Sequence, residues 1–231
     1  MRVLEFLCKA GRPWARQAIA DCSRWAVALL SSLLLAGPAL AAPARLVVVG
    51  DSLSAEYGLA RGSGWVALLA ERVAREKLPV EVVNASISGD TTAGGRSRLP
   101  ALLKAHAPKV VLVELGGNDA LRGLPLAETR ANLAAMVRAA RAAGAQVLLA
   151  GMQVPPNYGR QYTADFEQAF RDVAQAEHCA LVPFLLKGVA DRPDAEDWFQ
   201  PDRIHPLARA HPLILDNVWP ALLPLLKAAA H

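Results

Sequence analysis

Five short runs along the chain are continuously apolar: RLVVVG (45–50), VEVVNA (80–85), VVLVEL (110–115), QVLLAG (146–151) and ALVPF (180–184). Such runs fit strands buried on both faces of a parallel sheet, where alternation with polar residues is lost. Between them, apolar positions recur about every 3.6 residues. This spacing predicts helices over WVALLAERVAREK (65–77), RSRLPALLKAHA (96–107), AETRANLAAMVRAARAAG (127–144) and TADFEQAFRDVAQAEH (163–178). Gly144 stands where a helix-ending glycine is expected. Strand–helix alternation implies right-handed crossovers and an α/β fold, a three-layer α/β/α sandwich around a five-stranded parallel sheet. The last segment, HPLILDNVWPALLPLLK (211–227), is predicted to be helical, with Pro220 and Pro224 kinking or shortening it.

The first part of the chain follows a different pattern. Arg2, Lys9, Arg12, Arg16 and Arg24 precede the apolar stretch WAVALLSSLLLAGPALAA (25–42), which ends in the small-x-small pattern Ala39-Leu40-Ala41. That order is the order of a secretory signal peptide, predicted over 1–41 and followed by a single domain over 42–231. Gly37-Pro38 interrupts the apolar stretch, which disfavours an uncleaved anchor. Cys22 precedes the stretch, against a lipoprotein signal. The expected mature protein is periplasmic and monomeric, with no integral membrane span after cleavage.

Removing the leader changes the charge picture. It carries five of the 25 Lys and Arg and two of the 21 Asp and Glu, so the remainder is close to neutral. No basic patch for nucleic acid is left. Cys8 and Cys22 depart with it, and Cys179 cannot form an intramolecular disulfide; within HCALVPF it reads as a small apolar core residue.

In open parallel sheets, ligands bind outside the carboxyl ends of the strands. The residues following the five runs are Gly50-Asp51-Ser52, Ser86-Ile87-Ser88-Gly89-Asp90, Gly116-Gly117-Asn118-Asp119, Val154-Pro155-Pro156-Asn157-Tyr158 and, after a longer loop, Asp202-Arg203-Ile204-His205-Pro206. All five groups are expected on one rim. Acyl transfer by serine needs a base and a partner that orients the base. Asp202 and His205 are three apart, so the carboxylate can accept from imidazole Nδ1–H and leave Nε2 facing the Ser52 hydroxyl. Candidate oxyanion donors are the backbone N–H groups of Ser52 and Gly89 and the Asn118 amide.

These blocks, in this order, resemble the GDSL or SGNH hydrolase family: Ser52 in GDSLS, Gly89 in SISGDT, Asn118 in GGND, and His205 with Asp202 in DRIHP. The resemblance covers essentially all of 44–231. Through VVNASISGDT, RLPALLK and VLVELGGND it comes nearest the bacterial periplasmic thioesterase I, lysophospholipase and arylesterase subgroup. It implies a flavodoxin-like fold, no metal or organic cofactor, and small-molecule acyl ester, thioester or lysophospholipid substrates. The lipase elbow G-x-S-x-G is absent. Glu56, Arg203 and Leu207 depart from the subgroup pattern at positions bearing on substrate preference.

Each residue also has a plainer reading. Ser52 could cap a following helix, and Ser54 reads as a turn or cap residue. Asp51, Asp90 and Asp119 could gather a metal, but loop carboxylates more often bond their own backbone, which is the role expected here. His211 lies six residues beyond His205, a spacing matching no recognised zinc site. Tyr57, Leu121, Leu124, Pro155, Tyr158 and Ile204 are candidate walls of an acyl channel, or else loop residues packing on the scaffold. Two rival functions remain: a carbohydrate O-acetylesterase, against which an apolar rim argues, and a periplasmic binding module without turnover, which a missing triad member would have favoured.

Overall fold

The computed structural model describes residues 42–230; the expected leader over 1–41 lies outside the described residues. The elements run β1 (Ala44–Gly50), α1 (Trp65–Arg75), β2 (Val80–Asn84), α2 (Thr92–His106), β3 (Val110–Glu114), α3 (Gly117–Leu121), α4 (Leu126–Ala142), β4 (Gln146–Ala150), α5 (Arg160–Ala176), β5 (Ala180–Val182) and α6 (His211–Ala229). All pairings are parallel, in the order β2-β1-β3-β4-β5. This is the flavodoxin-like order, and its reversal between β1 and β3 opens a crevice at their carboxyl ends.

The central strands carry the core. Leu46 to Val49 on β1 and Val110 to Val113 on β3 are buried, whereas the edge strand β2 alternates between half-buried and exposed residues. Helices cover both faces: α1 packs against α6, and α4 packs against both α2 and α5. Trp65, Phe166 and Phe170 are the largest side chains fully enclosed between layers. Each contributes roughly 1.5–3 kcal/mol by leaving water. Among the described residues, no helix is long and apolar enough to cross a membrane.

Three outcomes at the ends of elements have a clear local reason. Helix α2 begins at Thr92, four residues before the predicted start at 96. Thr91 caps it, its side-chain oxygen accepting from the Gly94 N–H at 3.2 Å. Gly95 is needed there because a β-carbon would lie 2.2 Å from Leu115 Cδ1, so glycine lets the helix press onto the end of β3. Strand β5 stops at Val182, where Pro183 offers no N–H to extend the ladder. Helix α6 is not shortened by its prolines. Pro212, Asp216, Pro220 and Pro224 form one exposed stripe, so the carbonyls of Asp216 and Pro220, which lose their intrahelical donors, face solvent that can satisfy them.

His211 has a structural use. It is buried at the start of α6, and its Nδ1 accepts the Trp65 N–H at 3.0 Å, capping the first turn of α1. Only the unprotonated nitrogen can accept, and burial lowers the imidazole pKa below its ordinary value. The unfolded chain takes up a proton first as pH falls. This contribution to stability is therefore complete above about pH 6.5 and declines as the pH drops below it. His211→Ala is expected to lower the unfolding free energy by about 1–3 kcal/mol at pH 8. Urea titrations across pH 5–8 check this, and the variant should show a flatter pH dependence below pH 6.5.

Candidate active site

Hydrogen bonds join the segments after β1, β2 and β3 and the loop before α6 near the carboxyl ends of β1 and β3. Ser52 lies in the turns that follow β1, where the Ala55 N–H bonds the Asp51 carbonyl at 2.9 Å and the Tyr57 N–H bonds the Ser52 carbonyl at 3.4 Å. No helix starts there, so the plainer reading of Ser52 as a helix cap does not hold. His205 reaches the serine from the loop before α6, with Nε2 2.8 Å from Ser52 Oγ. Its Nδ1 lies 2.7 Å from Asp202 Oδ2. The other Asp202 oxygen accepts the Ile204 and His205 N–H groups, each at 3.0 Å. Partial burial raises the Asp202 pKa, but the His205 ring and these N–H donors outweigh it and hold the carboxyl at about 2. The spacing of three residues therefore produces the expected tight turn, with an ionised carboxylate fixing the imidazole.

Two backbone donors of the rim segments remain unengaged. Among the described residues, the Ser52 and Gly89 N–H groups donate to no protein acceptor. Gly89 has φ +79°, a left-handed conformation that strains any side chain, and the Arg122 guanidinium donates to its carbonyl at 2.7 Å. Asn118, on the first turn of α3, directs Nδ2 to Asp51 Oδ2 at 2.9 Å. One amide N–H is thus engaged and the second is free.

The three loop aspartates separate in role. Asp51 bonds its local backbone as expected, Oδ1 accepting the Leu53 N–H at 3.0 Å, and also holds Asn118. Burial pushes its carboxyl up to about 6, while the Leu53 N–H, the Asn118 amide and nearby His205 pull it down. Asp90 accepts the Thr91 N–H at 2.9 Å and pairs with Arg98 at 2.7 Å. Asp119 does not bond its own backbone. It is buried, accepts the Thr92 N–H at 2.9 Å and the Thr92 hydroxyl, and receives the Thr129 hydroxyl at 3.3 Å, joining α3 to α2 and α4.

Ser54 is also reassigned: it is buried, and its hydroxyl donates to Glu114 Oε2 at 2.7 Å. Sequence reasoning missed Glu114, although an acid inside the run VVLVEL was the available signal. It also missed Arg98, whose guanidinium bonds the carbonyls of Ala85 and Gly50 as well as Asp90. His211, engaged with Trp65, takes no part in the site. Cys179 lies far along the strands, and burial pushes its thiol up to about 11 against a smaller pull from Arg141.

The apolar candidates divide. Tyr57 lies against His205 with ring centroids 4.2 Å apart and the rings tilted by 35°. Among the described residues, Tyr57, Ile87, Leu121 and Ile204 are the exposed large apolar side chains, at 50%, 53%, 44% and 43%, and each belongs to a segment carrying a site residue. Ile87 was not anticipated. Tyr158 is instead half-buried, stacked toward Tyr162 at 6.2 Å and packed on the core, with exposed Pro155 ahead of it. Leu124 is half-buried in the loop after α3. Concavities elsewhere, beside Cys179 and between Leu68 and Leu215, contain none of the rim groups.

Residues 48–213 match the GDSL-like lipase/acylhydrolase family. Esterase TesA of Pseudomonas aeruginosa is 54% identical over 186 residues, covering 80% of this chain and 91% of the relative. Thioesterase 1/protease 1/lysophospholipase L1 of Escherichia coli K12 is 42% identical over 204 residues, covering 88% and 95%. The crystal structure of TesA superimposes with a TM-score of 0.75 at 54% identity, covering 78% of this chain and 99% of that one.

The buried bonds of Asp119 make a stability prediction. Asp119→Ala leaves the Thr92 donors without an acceptor and is expected to cost about 2–4 kcal/mol. Thr129→Val, which removes only the longer bond, should cost about 1 kcal/mol or less. Urea unfolding of the two variants checks the order.

Proposed function

The chain belongs to the GDSL-like lipase/acylhydrolase family and hydrolyses carboxylic esters and thioesters; we propose that it does so through an acyl-enzyme on Ser52. The observation carrying this reading is the unbroken line Ser52 Oγ, His205 and Asp202, with contacts of 2.8 and 2.7 Å. His205 Nε2 takes the serine proton as Oγ attacks the acyl carbonyl. The imidazolium that forms is stabilised by Asp202, which stays ionised at any working pH because its carboxyl is held at about 2. The tetrahedral oxyanion accepts from the Ser52 and Gly89 N–H groups and the free Asn118 N–H. His205 then protonates the departing alcohol or thiol. Water repeats the sequence with His205 as base and releases the acid. Every step is proton transfer and acyl transfer, for which the side chains named here suffice.

The exposed apolar side chains favour acyl chains over sugars as the group presented to Ser52. Tyr57, Leu121 and Ile204, with Ile87 beside them, offer apolar surface around the nucleophile, and this supports lysophospholipids, aryl esters and short to medium acyl esters as substrates. Residues 1–41 are read as an export leader, which places the enzyme in the periplasm and away from cytosolic acyl-CoA. A monomer suffices, because the catalytic groups come from one chain.

Hydrolysis of p-nitrophenyl esters from two to sixteen carbons by residues 42–231, beside Ser52→Ala, tests the reading. Wild-type turnover should extend beyond acetyl and peak at medium chains, and fall by at least about 10³-fold in the variant. Activity confined to acetyl esters would point to carbohydrate O-acetyl groups instead. Retained activity in Ser52→Ala would exclude Ser52 as nucleophile.

A further inference from the structure

A line of polar groups runs beneath the nucleophile and takes no direct part in proton transfer. Glu114 ends β3 fully buried, and its Oε2 accepts from Ser54 Oγ at 2.7 Å and from the Asp51 N–H at 3.3 Å. Asp51 follows, 2% exposed, with Oδ1 on the Leu53 N–H and Oδ2 on Asn118 Nδ2 at 2.9 Å. Asn118 is thereby tied to the residue that precedes Ser52. Two acids from adjacent strands thus sit under the one side chain expected to bind the oxyanion.

Two buried carboxyl groups this close do not both ionise readily. Burial, reinforced by the neighbouring Asp51, pushes the Glu114 carboxyl well above the ordinary range, and of the two acids it is Asp51 that bonds the Asn118 amide. The other titratable groups facing Asp51 are His205 from the loop before α6 and Asp90 from the loop after β2. Arg98 on α2 reaches the Gly50 carbonyl at 3.2 Å but pairs with Asp90 at 2.7 Å. Asp51 therefore has no direct ion-pair partner among the described residues, and its strongest side-chain bond is to the amide.

An amide presents a donor edge and an acceptor edge of nearly identical shape, and only its hydrogen bonds decide which faces where. An ionised carboxylate accepts and never donates. It therefore selects the orientation with Nδ2 inward, and the second N–H of that nitrogen is the one left for the oxyanion. A neutral group at 51 admits the flipped amide, whose oxygen would repel the developing negative charge.

We propose that Asp51 is a positioning residue for the oxyanion hole, its carboxylate holding the Asn118 amide with Nδ2 turned inward and the second N–H left for the oxyanion. This rests on the reading of Asn118 as an oxyanion donor. The contrasting role, in which Asp51 only shapes the turn through the Leu53 N–H, is separated by Asp51→Asn. That substitution keeps an acceptor oxygen for Leu53 and removes the charge.

The test is a double-mutant cycle on kcat for a short p-nitrophenyl ester at pH 8, using Asp51→Asn, Asn118→Ala and the double variant. Each single change is expected to lower kcat about 10–10³-fold with KM changed by no more than about threefold. The double variant should be no more than about threefold worse than Asn118→Ala. Losses that multiply would overturn the proposal while leaving Asn118 as an oxyanion donor. An Asn118→Ala enzyme with wild-type kcat would overturn the oxyanion reading itself, and this inference with it. If Asp51→Asn shows no cooperative thermal unfolding, pH profiles of wild type and Asn118→Ala decide instead. Asp51 is ionised above about pH 6, so wild-type kcat should fall more steeply below that pH than kcat of Asn118→Ala. Superimposable profiles would overturn the proposal.

Discussion

A carboxyl group closed off from water sits where β1 and β3 end side by side, and the rim is arranged around it. Gly50 lies opposite Glu114 in the sheet register, so the chain leaving β1 must turn directly over that acid. The turn supplies the Ser54 hydroxyl and the Asp51 N–H as donors. A buried acceptor left without such donors costs on the order of 1–3 kcal/mol, so few paths of the turn are acceptable. Ser52 lies between the two donors, and its placement follows from satisfying Glu114.

The other segments are tied to this turn by polar contacts rather than by packing alone. Arg98 gathers the carbonyls at the ends of β1 and β2 and holds Asp90, which steadies the loop carrying Gly89. Arg122 binds the Gly89 carbonyl from the end of α3. Asp119, next to Asn118, pins α3 to its two neighbours. The loop with His205 is held from within by the N–H bonds to Asp202 and by the Gln200 N–H on the His205 carbonyl at 2.7 Å. Four loops that are far apart in sequence thereby meet at hydrogen-bonding distances.

What the sequence makes legible follows from periodicity and short spacing. Apolar runs and 3.6-residue stripes betray buried strands and helices, and Asp202 with His205 form a pair that one turn of chain can close. Bonds such as Thr92 to Asp119 or Trp65 to His211 join positions with no fixed spacing, so nothing in a local pattern announces them. Glu114 was visible as an oddity, an acid in an apolar strand, but its partner Ser54 looked like an ordinary turn serine. The early start of α2 was hidden because Gly94 and Gly95 suggest a break, whereas Gly95 is set by the nearness of Leu115. A loop tyrosine such as Tyr158 likewise reads the same from sequence whether it faces a ligand or stacks on another ring.

The cap supplied by His211 has a consequence for how the polypeptide acquires its shape. Trp65 and His211 are 146 positions apart, so the first helix cannot have its leading turn closed until the last helix has arrived. A ribosome delivers the two ends in sequence, and a translocation channel would do the same. Through most of either passage the opening turn of α1 lacks this acceptor and its N–H is left to water, so the cap is among the last bonds the chain can make.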